Sequence, residues 1–115
     1  MTHVSVESRH VDVSEAMKAY AREKLEKLPH YYDGLQTALL TFDKDAGEFL
    51  VEIVATGRRK STFVATHRHA DIVVSVDQCV HKIIEQLRRH KDKVRDRHGP
   101  PHDQTMLPEG TPESQ

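Results

Sequence analysis

The sequence predicts an α+β fold: a two-layer sandwich of order β-α-β-β-β-α, in which two helices cover one face of a four-stranded, largely antiparallel sheet. Three observations predict it. Four short runs alternate apolar and polar residues, two other runs place apolar residues at helical spacing, and the 115-residue length suits one small core rather than two. Helices with one apolar stripe and a sheet with one apolar face must bury those surfaces against each other.

In chain order, Val4 and Val6 alternate with polar neighbours, which predicts a short strand over about residues 3–8. Ser14 then offers an N-cap hydroxyl, and Glu15 stands in the first turn, where the helix dipole favours an acid. Met17, Tyr20, Ala21, Leu25 and Leu28 recur at helical spacing, with Lys18, Arg22, Glu23, Glu26 and Lys27 facing outward, and Pro29 ends the helix. TALLTFD, residues 37–43, puts Ala38, Leu40 and Phe42 on one face. Asp43 to Gly47 reads as a hairpin loop, after which Phe49, Val51, Ile53 and Ala55 alternate with Leu50, Glu52, Val54 and Thr56. Gly57-Arg58-Arg59-Lys60 reads as the next tight turn, leading into STFVATHRH with Phe63 and Ala65 inward. Asp71 is placed to cap a long final helix with Ile72, Val76, Val80, Ile83 and Leu87 on its apolar stripe. Beyond Leu87 only Val94 continues that stripe, so the last three turns are expected to project past the core. Residues 1–98 therefore form one domain, and residues 99–115, with four of the five prolines, two glycines and no periodicity, read as a flexible tail.

Composition bounds the function. No apolar stretch reaches the roughly 20 residues that cross a bilayer, so no membrane association is expected. The N-terminus has no basic start followed by an apolar segment, so no secretory signal is expected, and the lone Cys79 excludes an internal disulfide; both fit a cytoplasmic protein. The formal net charge of −1 is a cancellation. Residues 1–57 carry 6 basic and 10 acidic side chains, residues 58–98 carry 11 and 5, and residues 99–115 carry 0 and 3. The middle segment, at +6, presents a local field that attracts polyanions.

Its densest part is HKIIEQLRRHKDKVRDRH, residues 81–98. On a helix Lys82, Arg89, Lys93 and Arg97 fall near one line, with Arg88, Lys91 and Arg95 beside it and Glu85, Asp92 and Asp96 interrupting. One reading is a solvated helix laced with ion pairs, since Glu85 and Arg89 stand at i,i+4. The other is a ridge contacting phosphates, for which Arg offers bidentate hydrogen bonding. The turn Arg58-Arg59-Lys60 is either solvated polarity or, if it lies beside the basic helix, part of one surface with it. His67 and His69 share one side of a strand, but two imidazoles without a third ligand at a recognised spacing do not make a metal site. Cys79, inside an apolar stripe, reads as a buried structural thiol. Tyr31 and Tyr32 either stack on bases or close the edge of the core. Asp43, Asp45 and Glu48 read as solvation of a hairpin. No phosphate-cradling glycine loop, nucleophile elbow or Cys-x-x-Cys is present, so neither an enzyme nor a cofactor is expected.

VESRHVDVSEAMKAYAREKLEKL, residues 6–28, followed by Tyr31-Tyr32-Asp33, resembles the ribosome hibernation promoting factor family, also called ribosome-associated inhibitor A or sigma-54 modulation protein. HADIVVSVDQCVHKIIEQLRRHKDK, residues 69–93, resembles it as well, and the similarity runs in order over about residues 3–97. The resemblance implies a fold like a double-stranded-RNA-binding domain with an added first strand. It implies binding to 16S rRNA of the small ribosomal subunit in the mRNA and tRNA channel, inhibition of initiation, and protection of idle ribosomes in stress or stationary phase. Carried over by position, the RNA-contacting residues are Arg9, Lys24, Lys27, Lys82, Arg88, Arg89, Lys91 and Lys93. The chain departs from the family pattern at Glu85, where a basic residue is common, and at Ile72-Val73, where a Met-Tyr pair is common. The resemblance further implies a short form without the dimerisation domain of longer members, monomeric off the ribosome, with no DNA partner. The alternative is a regulatory protein-interaction module, a modulator of a transcription factor, whose basic helix docks an acidic partner without RNA.

Overall fold

The computed structural model describes residues 2–96, with side chains as far as Lys91. The tail expected over residues 99–115, and the side chains of Lys93, Val94, Arg95 and Arg97, lie outside the described residues. The elements are β1 (His3–Ser8), α1 (Glu15–Glu26), a 3-10 turn (Leu28–His30), β2 (Leu35–Asp45), β3 (Glu48–Gly57), a tight turn (Arg58–Lys60), β4 (Thr62–His69) and α2 (Ile72–Asp96). The strands form one sheet in the order β1-β2-β3-β4. β1 runs parallel to β2, with Val4 opposite Ala38 and Val6 opposite Leu40, because α1 carries the chain back between them. β2, β3 and β4 pair antiparallel, with Leu40 opposite Ile53 and Ile53 opposite Ala65.

Period two sends Ala38, Leu40, Phe42, Val51, Ile53, Ala55, Phe63 and Ala65 to one face, where α1 and α2 bury them. α1 contributes Ala21 and Leu25, and α2 contributes Val76, Cys79, Val80, Ile83 and Leu87. The two polar side chains of α2 at this layer are satisfied by backbone. Ser75 Oγ donates to the Phe49 carbonyl at 3.1 Å, and Cys79 Sγ to the Ala65 and Val51 carbonyls at 3.3 and 3.5 Å. Burial pushes the Cys79 thiol up to about 12, so it is a structural group and not a nucleophile. The caps match expectation: Ser14 Oγ accepts from the Met17 N–H and Asp71 Oδ1 from the Val73 N–H.

Three expectations are corrected. β2 continues to Asp45, and the hairpin loop shrinks to Ala46-Gly47, both at positive φ (52° and 79°), a two-residue turn whose twist matches the paired strands. α1 stops at Glu26, earlier than Pro29 requires, because Lys27 caps it and Pro29 sits inside the following 3-10 turn. The packed part of α2 runs one turn beyond Leu87. The His90 ring meets Tyr32 at 4.8 Å and Phe63 at 5.2 Å between centroids, both edge-on, so the overhang begins only after His90. Among the described residues no helix is long and apolar enough to cross a membrane.

Candidate nucleic-acid interface

α1 and α2 both start at the β2–β3 hairpin end and run toward the opposite end, where the Arg58–Lys60 turn lies. α2 presents two basic flanks. On the flank beside the outer edge of β4, Lys82 Nζ donates to the Thr66 carbonyl and Gln86 Nε2 to the Val64 carbonyl, each at 2.7 Å. Arg89 lines the same shallow groove between β4 and α2. These bonds occupy edge carbonyls that would otherwise template another strand. Lys82 is thus exposed but has one of its three donors committed to the fold.

The other flank faces α1. Tyr20 Oη donates to Asp77 Oδ1 at 2.5 Å and joins the two helices. That hydrogen bond, with partial desolvation added, pushes the Tyr20 hydroxyl up to about 12. Lys24 Nζ lies 5.2 Å from the Tyr20 ring centroid, and the Arg88 guanidinium 5.4 Å from that of Tyr31. Tyr31 therefore carries a cation, while Tyr32 is buried against Phe63 and His90; the adjacent tyrosines divide the two roles expected of them. Lys27 at the end of α1 and Lys91, one turn beyond Arg88, are exposed on this side.

Glu85 pairs with Arg88 at i,i+3 and 3.8 Å rather than with Arg89 at i,i+4. Glu85 and Arg89 both line the groove beside β4, while Arg88 lies over Tyr31 and still reaches the carboxylate. Both partners are about half exposed (59% and 43%), so the pair adds little stability. Arg9 stands apart from the other seven candidates. Its backbone N–H bonds to the Phe42 carbonyl at the hairpin end, roughly 23 Å along β2 from Leu35 at 3.3 Å per residue. Lys93 lies on the α2 backbone, and its side chain is outside the described residues.

With this geometry in place, comparison with known proteins is decisive. Residues 4–95 match the family described as sigma 54 modulation protein / S30EA ribosomal protein. The chain belongs to this family. Among its relatives, a ribosome hibernation promoting factor from Azotobacter vinelandii is 25% identical over 92 residues, 78% of this chain and 83% of that protein. One from Pseudomonas putida is 24% identical over 90 residues, 78% and 87% of the two chains. The fold is shared with a ribosomal subunit interface protein from Coxiella burnetii (TM-score 0.72, 23% identity, 79% of this chain and 99% of that one). It is also shared with the N-terminal domain of Thermus thermophilus Protein Y (TM-score 0.67, 24% identity, 78% and 99%).

Set in the family fold, several residues matter that sequence reading passed over. Asp77 and Tyr20 lock the helices that carry Lys24 and Arg88, and Gln86 shares the β4 edge with Lys82. The i,i+4 steps from Lys82 to Gln86 and from Tyr20 to Lys24 were available in the sequence, but only the tertiary pairing shows which neighbours they reach.

Proposed function

We propose that this protein is a ribosome hibernation factor that binds the small ribosomal subunit through 16S rRNA in the channel used by mRNA and tRNA. Bound there, it inhibits initiation and protects idle ribosomes under stress. The observation that carries the reading is the exposed basic flank of α2, Arg88 and Lys91 beside Lys24 and Lys27 of α1, in a chain whose relatives are hibernation promoting factors. A helix flank of this kind suits structured RNA, which is recognised chiefly through phosphates and 2′-hydroxyls rather than base edges. Tyr20–Asp77 and the Tyr32–Phe63–His90 cluster fix the helices relative to the sheet, so the cations are presented at set spacing without folding on contact.

Co-sedimentation with purified 30S subunits over a salt series tests this. Binding is expected at low salt and weakens along a straight log–log line as each neutralised phosphate takes back counterions. Arg88→Glu, Arg89→Glu and Lys91→Glu together should reduce affinity roughly 100-fold or more. The circular dichroism spectrum should stay unchanged, since all three side chains are exposed. No association of the wild type at low salt, or full association of the triple variant, refutes the proposal. Retention of a protein partner after nuclease treatment, with no 30S binding, would support the regulatory-module alternative.

A further inference from the structure

The turn between β3 and β4 carries three consecutive cations, Arg58, Arg59 and Lys60, all exposed. Arg59 and Lys60 both sit at positive φ (59° and 62°). Side chains with a Cβ rarely adopt this conformation, and Gly or Asn would take it more readily. The surroundings enforce it. The Gly57 N–H bonds to the Ser61 carbonyl at 2.9 Å, the Ser61 N–H and Oγ both reach the Arg58 carbonyl, and the Arg58 N–H bonds to the Gly34 carbonyl at 3.2 Å. The chain thus keeps two long cationic side chains at positions where the backbone favours other residues, and nothing in the core uses them. Among the described residues the one ion pair at this turn is Arg58 with Asp33, at 3.9 Å between two exposed groups.

The turn is also close to the helix flank. A Cβ on Gly57 would stand 2.7 Å from Tyr32 Cε2, so the turn packs directly on that ring. His90 of α2 packs edge-on with the same ring, 4.8 Å away between centroids. Little more than one aromatic ring therefore separates the turn from the last packed residue of α2. The turn and the end of the packed part of α2 are neighbours, and a polyanion lying along one passes the other.

We propose that the Arg58–Lys60 turn is a second contact element for the phosphodiester backbone of RNA, engaged together with the α2 flank across the Tyr32–His90 junction. It deepens the ribosome-binding reading and rests on it. Guanidinium and ammonium groups recognise phosphate oxygens through charge-assisted hydrogen bonds, which position the protein without reading sequence. The hydrogen bonds of Gly57, Arg58 and Ser61 fix the backbone of the turn before the RNA arrives.

The test compares three proteins on 30S subunits over a salt series: the wild type, Arg59→Asn with Lys60→Gly, and a control with Lys18→Gln and Lys44→Gln. The turn variant removes two charges and relieves the backbone, so it should fold and melt no lower than wild type. The control removes the same charge from the hairpin half of the molecule. The turn variant is expected to bind about tenfold more weakly, with a log–log salt slope shallower by about 1.5, while the control stays within about twofold. A turn variant that matches the control in affinity and slope overturns the second contact and leaves the ribosome reading standing. Failure of the wild type to bind overturns both. Unchanged 30S binding, with loss of a protein captured from nuclease-treated lysate, would overturn the RNA contact by showing that the turn serves a protein partner.

Discussion

The two ends of this sheet carry charge in opposite ways. At the hairpin end, Arg68 Nη1 bonds Asp45 at 2.9 Å and its Nε reaches Glu48 at 3.4 Å, His10 meets Asp43 at 3.1 Å, and Lys44 lies over the Phe49 ring. At the other end, Arg88 shares one half-exposed pair with Glu85 and Arg58 one long pair with Asp33, and Lys27, Arg59, Lys60 and Lys91 are exposed. One end neutralises itself and the other keeps its field. The near-zero net charge arises because −4 over residues 1–57 and −3 over residues 99–115 offset +6 over residues 58–98, which is why bulk charge says little about partners and local pairing says much. Arg9, grouped by resemblance with the RNA-contacting residues, belongs geometrically to the self-neutralised end, where it helps hold the Asp43 carboxyl low.

The largest expected effect breaks the basic end from beneath. Gly57 has ordinary extended dihedrals, so its importance is space: an added Cβ would meet Tyr32 Cε2 at 2.7 Å and Ser61 Oγ at 2.8 Å. Tyr32 cannot retreat freely, being packed on Phe63 and His90. Gly57→Ala should therefore cost about 2 kcal/mol in urea unfolding, within the range for overpacking a tight site. Hydrogen exchange should rise around Tyr32 and His90 and stay unchanged at the Ala46-Gly47 turn. Uniform loosening of both ends would show that the two ends are not mechanically separate.

Much of the fold was legible because each element depends on local rules. Ser14 and Asp71 cap as their side chains dictate, and the period-two runs set which face of each strand is buried. What could not be read was decided by partners distant in sequence. His90 stands in a basic run, yet its half-buried ring packs edge-on with Tyr32 and Phe63, both distant in sequence. The Asp43–Gly47 loop shortened because strand pairing with β3 outcompetes the turn preference of Asp45. For the interface, spacing located the cations but not their neighbours. It could not reveal that Lys82 braces β4, that Arg88 rather than Arg89 holds Glu85, or that the 58–60 turn shares a ring with α2.

A smaller effect sharpens the basic end. Glu85 is an acid on a basic flank, 3.8 Å from Arg88. Glu85→Gln keeps the side-chain shape and removes the charge, so Arg88 no longer divides its attraction between a carboxylate and a phosphate. Affinity for 30S subunits should rise about two- to fivefold at moderate salt, in line with the weak energy of an exposed pair. The gain should fade as salt rises. An unchanged affinity at low salt would mean that Arg88 does not face phosphate, and the contact would then fall to Lys91 and the α1 lysines.

The smallest effect concerns the self-neutralised end. The Asp43 carboxyl is held below its ordinary value first because it accepts the Lys44 backbone N–H at 2.8 Å, and then because His10 bonds and attracts it, with Arg9 adding to the field. A depressed folded pKa contributes stability that is present above the unfolded value, near pH 3.8, and is lost as pH falls through the folded value. The Asp43 side chain lies at the surface, 24% exposed, so the readout is its titration and not a melting temperature. His10→Ala should move the Asp43 midpoint upward in an NMR pH titration, only part of the way, because the Lys44 N–H remains. It should leave 30S binding untouched, since the imidazole it removes was already satisfied within the hairpin end. A loss of 30S affinity in this variant would show that the hairpin end, Arg9 included, faces RNA after all, and that internal pairing does not mark a surface as idle.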